Sequence, residues 1–412
     1  MSNYTDTENS GTISDEKLFE LIKRNGLSYS VPKIMSLFSQ RQKIRYDSLS
    51  SSTAPGGSFS INVSNSDIFV NPKNSYLFFD VTFTGAVIND IPFGSASAAN
   101  IFTTNRFVHS SSQELCHDRF VNIANYSNDL LKSNVWMANQ GANKGYGHMF
   151  IANEATTKQT FCIELSDLFT FFDSDQLIPP FAMSGSQLHF NLASLNEAIA
   201  TVAVTDFSVS NAYVSLDSYI LSDLAMSALE RLSSKGQVEY QCQGYEVVTG
   251  VANNTNSLNL ECTKSLGRVN SISIINRPTA NASLRSEDSM VPVAYAENIR
   301  GISQVQHRLN SMYFPASKAT SALEIHIHGR QDVSEQCTYS YTNAQNTFIG
   351  QLVHQPLMRN VMLLSSGLPV NSSSALRSEI TFANLSSTTV MAVVRHVKII
   401  RFVLYNNVTI LV

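Results

Sequence analysis

The chain has 412 residues, of which only 15% are charged, and its formal net charge is −4. This length exceeds the size at which one hydrophobic core usually stops growing, so two domains are expected. The lack of a positive surplus argues against a protein that condenses nucleic acid through a basic arm. Five scattered cysteines without a CxxC pair argue against a disulfide framework or a zinc knuckle, and they favour a reducing compartment.

Serine, threonine and asparagine take the place of the missing charged residues. A surface of this kind is desolvated at low cost, because burying a hydroxyl group costs far less than burying a charge. The composition is typical of a protein that buries much of its outside against copies of itself. It is also typical of a secreted lectin or adhesin, although the polar, acidic N-terminus does not read as a signal peptide.

Residues 1–57 are predicted to form an N-terminal arm. A short helix is expected to begin at Ser14, a good N-cap that is followed by two acidic residues, and to end at Asn25-Gly26. The arm then carries a mildly basic cluster of Arg41, Lys43 and Arg45, which we interpret as a solvated arm rather than a nucleic-acid contact. A flexible, serine-rich stretch closes it.

Residues 58–220 are predicted to form a first β domain. Apolar and polar residues alternate from Phe59 to Val63 and again from Phe79 to Phe83, which is the period of a half-buried strand. One helical insertion is expected over Arg119–Lys132. Further strands are predicted at Phe161–Leu165, Gln187–Leu192 and Ala212–Ile220.

Residues 221–236 interrupt the β pattern and predict a linker helix. Its apolar face consists of Leu221, Leu224, Ala225, Ala228 and Leu232, which follow helical spacing. Strand patterns resume over residues 237–412, a stretch that resembles the first β domain in length and suits an eight-stranded jelly roll. The strands predicted there are Tyr245–Val251, Ser257–Glu261, Val269–Ile275, Ala322–Ile327, Val361–Leu364 and the terminal run Val390–Val412.

The sequence offers no convincing catalytic, cofactor-binding or metal-binding residues. The segment Gly141–Gly147 lacks the ending of a phosphate-binding loop, and no GxSxG motif is present. The pair His326 and His328 could face one side of a strand and bind a metal, as in the cupins. The rest of that motif is missing, so we interpret both histidines as the polar face of a strand and predict neither a metal site nor a cofactor.

Several stretches resemble the double jelly-roll major capsid proteins of small tailless DNA viruses: the Polinton-like viruses, adintoviruses and virophages, with adenovirus hexon and tailless-phage coats further off. Tyr76–Gly85 resembles an early strand of their first barrel, and Arg106–Lys132 resembles their strand, polar turn and helix. Phe161–Leu192 is similar to their segment in which an LP-type turn precedes an alternating strand. Ser215–Tyr245 resembles their crossover between barrels, and Val394–Val412 their closing strands. These matches cover about two-thirds of the chain.

The resemblance implies an all-β fold of two eight-stranded jelly-roll barrels side by side, with a short N-terminal helical arm and a linker helix. The expected division is 1–57 arm, 58–220 first jelly roll, 221–236 linker helix and 237–412 second jelly roll. It implies a major capsid protein, not an enzyme, that forms homotrimeric pseudo-hexagonal capsomers in the icosahedral virion of a DNA virus.

The expected partners are neighbouring capsomers and penton or minor capsid proteins. No specific nucleic-acid binding is expected, and the arm is the candidate for contact with an internal membrane. A β-sandwich carbohydrate-binding or host-attachment protein is the alternative.

Overall fold

The computed structural model describes the following residues: 38–65, 68–85, 97–109, 113–129, 131–132, 141, 143–144, 158–199, 204–235, 238–278, 302–320, 324–325, 340–342, 347–349, 352–357, 367–370, 375–403 and 407–411. Within this part of the chain nearly all regular structure is antiparallel sheet. The sheets fall into two groups along the sequence, which we call the first and second β units.

The first β unit, residues 38–221, contains two sheets. The five-stranded sheet has the order β1-β9-β4-β7, and β2 also pairs with β9. The four-stranded sheet has the order β3-β8-β5-β6. Their bounds are β1 Phe38–Asp47, β2 Ser52–Thr53, β3 Ser58–Asn62, β4 Phe69–Gly85, β5 Phe102–Val108, β6 Glu114–Arg119, β7 Lys158–Glu164, β8 Gln187–Leu192 and β9 Val204–Leu221.

Aromatic side chains fill the space between these two sheets. Phe59 of β3 and Phe190 of β8 stack with ring centroids 4.8 Å apart, and Phe102 of β5 meets Phe79 of β4 edge to face at 5.5 Å. All four are almost completely buried because they occupy the inward positions of alternating strands. The first hydrophobic core is therefore the interior of a β-sandwich.

The second β unit, residues 238–411, is built on one eight-stranded sheet with the central order β13-β12-β18-β11-β16. Strands β10, β17 and β19 pair with β18, β11 and β18 respectively, and β14 with β15 forms a separate ribbon. The bounds are β10 Val238–Cys262, β11 Leu266–Pro278, β12 Ile302–Leu309, β13 Met312–Ala319, β14 Ser340–Thr342, β15 Thr347–Ile349, β16 Leu352–Pro356, β17 Leu368–Val370, β18 Leu376–Val403 and β19 Asn407–Leu411.

Within the described ranges the sheets are accompanied by the α-helices α1 Val121–Asp129, α2 Leu165–Leu168, α3 Pro180–Met183, α4 Leu195–Ala198 and α5 Asp223–Ser234. Two 3₁₀ turns lie at Ala98–Ile101 and Thr170–Phe172. Helix α1 lies within the predicted insertion, and α5 lies within the predicted linker. α4 begins with a capping box between Ser194 and Glu197, which explains how four residues hold a helical turn.

The structure differs from the sequence analysis in the arm. Residues 38–47 were predicted to lie outside the β domain, but they form β1, which pairs along its length with β9. The inward-facing Ile44 and Tyr46 pack against the first core, and Arg41 forms an ion pair with Asp217 of β9. The predicted helix over residues 14–25 lies outside the described residues. The first β unit therefore begins at least twenty residues before Ser58.

A second difference concerns the strand predicted at Ala322–Ile327. The two described residues there, Glu324 and Ile325, are helical. The carboxylate of Glu324 accepts a hydrogen bond from the backbone N–H of Thr320 at 2.8 Å, an arrangement that satisfies a donor at the start of a helical turn. Ile325 is buried in the second core. His326, His328 and the predicted strand Val361–Leu364 lie outside the described residues.

Candidate functional site at the junction of the two β units

The hydrophobic cores of the two β units are interlocked. Helix α1 belongs to the first unit by sequence, yet its residues Ile123, Ala124 and Tyr126 are buried in the second core. Conversely, Tyr240 at the start of β10 and Phe402 at the end of β18 are buried in the first core. Each unit thus supplies apolar surface to the other, and separating them would expose both cores to water.

Aromatic contacts fix this junction on the side of the first unit. The rings of Phe171 and Tyr240 lie 4.9 Å apart, and those of Phe181 and Phe402 lie 5.1 Å apart. The Tyr240 hydroxyl donates a 2.7 Å hydrogen bond to the backbone carbonyl of Phe171. A buried tyrosine needs such an acceptor, because an unsatisfied hydroxyl group costs free energy. Burial raises the pKa of Tyr240, so the neutral donor is the form present at neutral pH.

Backbone and side-chain hydrogen bonds extend the junction along the first residues of strand β10. The amide of Gln243 donates to the carbonyl of Asp173 at 2.8 Å. The Ser174 hydroxyl donates to the carbonyl of Gln241 at 2.6 Å, and the amide of Gln241 donates to the side chain of Gln176 at 2.8 Å. The segment that follows the Thr170–Phe172 turn is therefore held against β10 as a partner strand would be.

Two cations of β18 reach back into the first unit. The Arg395 guanidinium donates from Nη2 to the Ala124 carbonyl and to the Ser127 hydroxyl, both at 3.0 Å. The Lys398 ammonium donates to the Leu115 carbonyl at 2.9 Å. Ala124 and Ser127 both lie in α1, so the guanidinium connects β18 to this helix. Burial lowers the pKa of Arg395, while nearby acidic groups, Asp173 first among them, act in the opposite direction.

A buried ion cluster positions α1 for these contacts. The Lys144 ammonium lies 2.9 Å from Asp129 at the end of α1 and 2.7 Å from Asp167 of α2. Burial raises the pKa of Asp129 to about 6 despite the attraction of Lys144. At Asp167 burial also acts to raise the pKa, but the positive charges of Lys144, Lys132 and Arg395 together outweigh it, so the pKa is lowered. The cluster therefore ties α1 to α2 through a cation shared by two carboxylates.

The chemistry of the junction is that of packing and hydrogen bonding. The thiols of Cys116 and Cys242 are buried there, and burial raises the pKa of Cys242 to about 12 and that of Cys116 as well. A thiol that stays protonated is a poor nucleophile and a poor metal ligand. In the described ranges no cluster of three or more histidine, cysteine, aspartate or glutamate side chains is arranged to hold a metal ion.

Most residues of the apolar face that was predicted for the linker helix are buried in α5. Ala225, Ala228 and Leu232 are buried as predicted, and Leu229 is a further buried residue of the same face that the sequence analysis did not select. Leu221 is buried as the last residue of β9. The side chain of Leu224 lies outside the described residues. Of the helices that the structure describes, none has the length and apolar character needed to cross a bilayer.

The outer face of the four-stranded sheet carries a polar pocket of about 270 Å³. Loop residue Ser50 and the outward side chains of β3, β5 and β8 line it, among them Arg106, His189 and Asn191. Arg106 also forms an ion pair with Glu114 of β6. Burial lowers the pKa of His189, and the charge of Arg106 adds to this effect, so the imidazole is neutral near pH 7. The pocket offers hydrogen-bond donors and acceptors to a small polar ligand.

Comparison with known proteins gives likenesses in structure only. No protein-family model matches the sequence, and no curated protein matches it. VP54 of the virus PBCV-1, fitted into a reconstruction of the virophage Sputnik, superposes with a TM-score of 0.61 at 10% identity and covers 91% of this chain and 97% of its own. The Faustovirus major capsid protein gives 0.56 at 8% identity, with coverage of 95% and 98%. The mavirus major capsid protein gives 0.52 at 7% identity, with coverage of 100% and 97%.

These likenesses extend over almost the full length of both chains in each pair. They confirm the predicted all-β, double jelly-roll fold for this chain. At identities of 10% or less they show the fold alone, and function has to be argued separately.

Proposed function

We propose that this chain is a major capsid protein that trimerises into pseudo-hexagonal capsomers and builds the icosahedral shell of a DNA virus. The observation that carries the proposal is the double jelly-roll fold over 95% and 100% of the chain in the comparisons with the Faustovirus and mavirus major capsid proteins. The low content of charged residues supports extensive burial against other copies. The protein acts by assembly and not as an enzyme, and it requires no cofactor.

The interlocked junction supports this proposal physically. A capsomer subunit has to hold its two barrels in one fixed relation, so that three copies present six similar lobes. The shared cores and the contacts of Arg395 and Lys398 provide this rigidity. We therefore propose residues 38–221 as the first jelly roll, α5 as the linker helix and residues 238–411 as the second jelly roll.

The proposed partners are two further copies of the chain in the trimer, neighbouring capsomers, and penton or minor capsid proteins of the virion. Residues 1–37 are proposed to reach such neighbours, or an internal membrane. Specific binding to nucleic acid is not part of the proposal, because the chain has a net charge of −4 and lacks a basic surplus.

The oligomeric state of the purified chain tests the proposal. We expect sedimentation equilibrium to give a trimer at micromolar concentration, and negative-stain images to show pseudo-hexagonal particles. The same preparation at high concentration, or in co-expression with a penton protein, is expected to yield closed shells. A stable monomer at micromolar concentration would contradict the proposal.

A carbohydrate-binding or host-attachment role remains the second candidate, and the polar pocket beside Arg106 is the observation that favours it. Binding to a panel of glycans should then be saturable and should be lost in the variant Arg106→Ala. Under the capsid proposal, that variant assembles normally and no glycan binds in the pocket.

A further inference from the structure

The outer face of the five-stranded sheet is rich in aromatic side chains. Facing residues of β4 and β9 bring Phe78 opposite Tyr213, and their rings stack 5.0 Å apart and nearly parallel. The ring of Tyr76 follows at 6.3 Å from Phe78. Tyr219 lies further along β9, but its side chain is buried in the first core. We call Tyr76, Phe78 and Tyr213, which are half-buried on the outward side, the aromatic strip.

A row of basic side chains borders the strip on the edge strand β1. Arg41, Lys43 and Arg45 alternate along the strand and all point outward. The Arg45 guanidinium lies 3.7 Å from the ring centroid of Tyr213, within cation–π range, and its side chain is 58% exposed. The Arg41 guanidinium lies 5.5 Å from the ring centroid of Tyr219, and its side chain is 51% exposed. We call these three residues the basic row.

This composition is unusual for the outside of a sheet. An antiparallel sheet with one face on a core normally carries polar residues on the other face. Here three aromatic side chains, those of Tyr76, Phe78 and Tyr213, lie half-buried on the outward side. Aromatic residues and arginine are enriched at the centres of protein–protein interfaces, and they are the residue types that most often dominate binding energy. The face therefore has the character of a contact surface.

The charges of this face indicate whether its binding partner is a polyanion or a protein. Asp217, whose side chain is fully buried beneath Arg41, accepts two hydrogen bonds from that guanidinium at 2.9 and 3.0 Å. Arg45 forms an ion pair with Asp47. Two of the three positive charges are thus balanced within the face, which leaves little counterion release to drive binding to phosphates. A protein surface is the better match.

A second copy of this chain offers the complementary charge. Outside the basic row the chain carries 25 basic and 32 acidic residues, a net charge of −7, which favours contact with the positive charge of the row that is not balanced within the face. From these observations we infer that the aromatic strip and the basic row bind a second copy of this chain, and that this face is the centre of a subunit contact. The inference rests on the proposed capsid function, and it names the surface through which the capsomer forms.

Photo-crosslinking tests the contact directly. A p-benzoylphenylalanine is placed at position 43 in the full chain, and a second sample carries it at position 377, where Arg377 is 52% exposed and forms an ion pair with Glu261 of the second unit. After irradiation of the oligomer we expect crosslinked chain pairs from position 43 at a yield at least fivefold above that from position 377.

A matched pair of charge reversals gives an independent readout. Arg45→Glu is expected to raise the dissociation constant of the oligomer at least tenfold, because it places a carboxylate on the face of Tyr213 and beside Asp47. Arg377→Glu reverses an ion-paired arginine of similar exposure and is expected to change the constant less than twofold. Circular dichroism should show the same fold for both variants, since each side chain is more than half exposed.

These experiments distinguish a failure of the proposed function from a failure of the inferred contact. A wild-type chain that sediments as a monomer overturns the proposed function and this inference together. A wild-type trimer in which position 43 gives no more crosslinking than position 377, or in which Arg45→Glu dissociates no more than Arg377→Glu, overturns the inference and leaves the capsid function standing. Binding of a single-stranded oligonucleotide that is abolished by Arg45→Glu would overturn it in favour of nucleic acid.

Discussion

Lys144 illustrates how one residue determines the position of a helix. Its side chain is almost fully buried and contacts the carboxylates of Asp129 and Asp167. We expect Lys144→Met to lower the free energy of unfolding by about 3–5 kcal/mol, because removal of the cation leaves two buried carboxylates without their shared partner. Urea denaturation monitored by tryptophan fluorescence or circular dichroism measures this loss.

The matched control is the triple variant in which Lys144→Met is combined with Asp129→Asn and Asp167→Asn. Neutral side chains then replace the whole cluster, and replacing a buried ion cluster by neutral groups often costs little. We expect the triple variant to be more stable than Lys144→Met alone. If the triple variant were the less stable of the two, the charges would not be the source of the effect.

Buried histidines predict how stability depends on pH. Burial lowers the pKa of His307 to about 4, that of His354 to about 3 and that of His396 to about 4, against an ordinary value of 6.5. Between pH 6.5 and about 4 the unfolded chain binds protons that the folded chain does not. Stability is therefore expected to fall as pH falls through this window, by up to about 1.4 kcal/mol per pH unit for each histidine.

A comparison of variants isolates this effect from other groups, since the raised pKa of Asp129 acts with the opposite sign. His307→Gln keeps a partner for Ser378 Oγ, which lies 2.9 Å from His307 Nδ1, but cannot take up a proton. We expect this variant to lose less stability between pH 7 and pH 5 than the wild type does, by chemical denaturation. His117→Gln, on the partly exposed side of β6, is the control and should follow the wild type. Equal losses in all three proteins would contradict the prediction.

At the scale of elements, α5 is the simplest to test. Ala225, Ala228, Leu229 and Leu232 form its buried face. Ala228→Asp would place a carboxylate in a site that is 2% exposed, at a cost of several kcal/mol, because no compensating partner is introduced. Differential scanning calorimetry should show a clear fall in melting temperature. Ser227→Asp, on the exposed side of the same helix, is the control and should have a melting temperature close to that of the wild type. If both variants lowered the melting temperature by similar amounts, Ala228 would not lie on the buried face of α5.

The elements that the sequence predicts best are those with strong alternation. Gln187–Leu192 was predicted with the bounds that β8 has, since Leu188, Phe190 and Leu192 alternate with polar residues. β1 was missed because three of its outward residues are basic and were interpreted as part of a solvated arm, whereas its inward residues Ile44 and Tyr46 pack against the first core. Its place in the sheet depends on β9, about 170 positions later, and no local pattern records that pairing.

The junction between the two β units could not be predicted either, because its contacts join residues that are far apart in the sequence. Arg395 contacts Ala124 across 271 positions of sequence, and Lys398 contacts Leu115 across 283. In the sequence both cations appear only as interruptions of an apolar run, Val390–Val412. Periodicity identifies which residues of a strand face the core. It does not identify which buried polar group a distant cation will meet.

At the scale of the whole molecule, the interlocked cores imply that the two units unfold together. The apolar residues at the start of β10 and the end of β18 lie in the first core, and Ile123, Ala124 and Tyr126 of α1 lie in the second. Loss of either unit would expose surface of the other, so a separately stable half is not expected. This coupling also makes the subunit rigid, as a shell built from many copies requires.

The start of the first β unit at β1 predicts how N-terminal deletions affect the stability of the subunit. β1 contributes Ile44 and Tyr46 to the first core, and Arg41 balances the fully buried carboxylate of Asp217. Deletion of residues 1–50 should therefore destabilise the subunit by several kcal/mol, since it removes an edge strand and leaves a buried charge without its counterion. Deletion of residues 1–37 leaves β1 intact, and we expect this variant to have the melting temperature of the full chain and to form trimers.

The shorter deletion also tests the role proposed for the arm. The helix expected between Ser14 and Gly26 has Leu18, Leu21 and Ile22 along one edge at helical spacing. This apolar edge would gain by burial against a neighbouring capsomer, a minor protein or a membrane. Trimers that lack residues 1–37 are therefore expected to fail in forming closed shells, as seen by electron microscopy of assembly reactions that succeed with the full chain. Normal shells from this variant would show that the arm is dispensable for assembly. Loss of the trimer itself would place the arm within the capsomer, because β1, the aromatic strip and the basic row are all still present in the shortened chain.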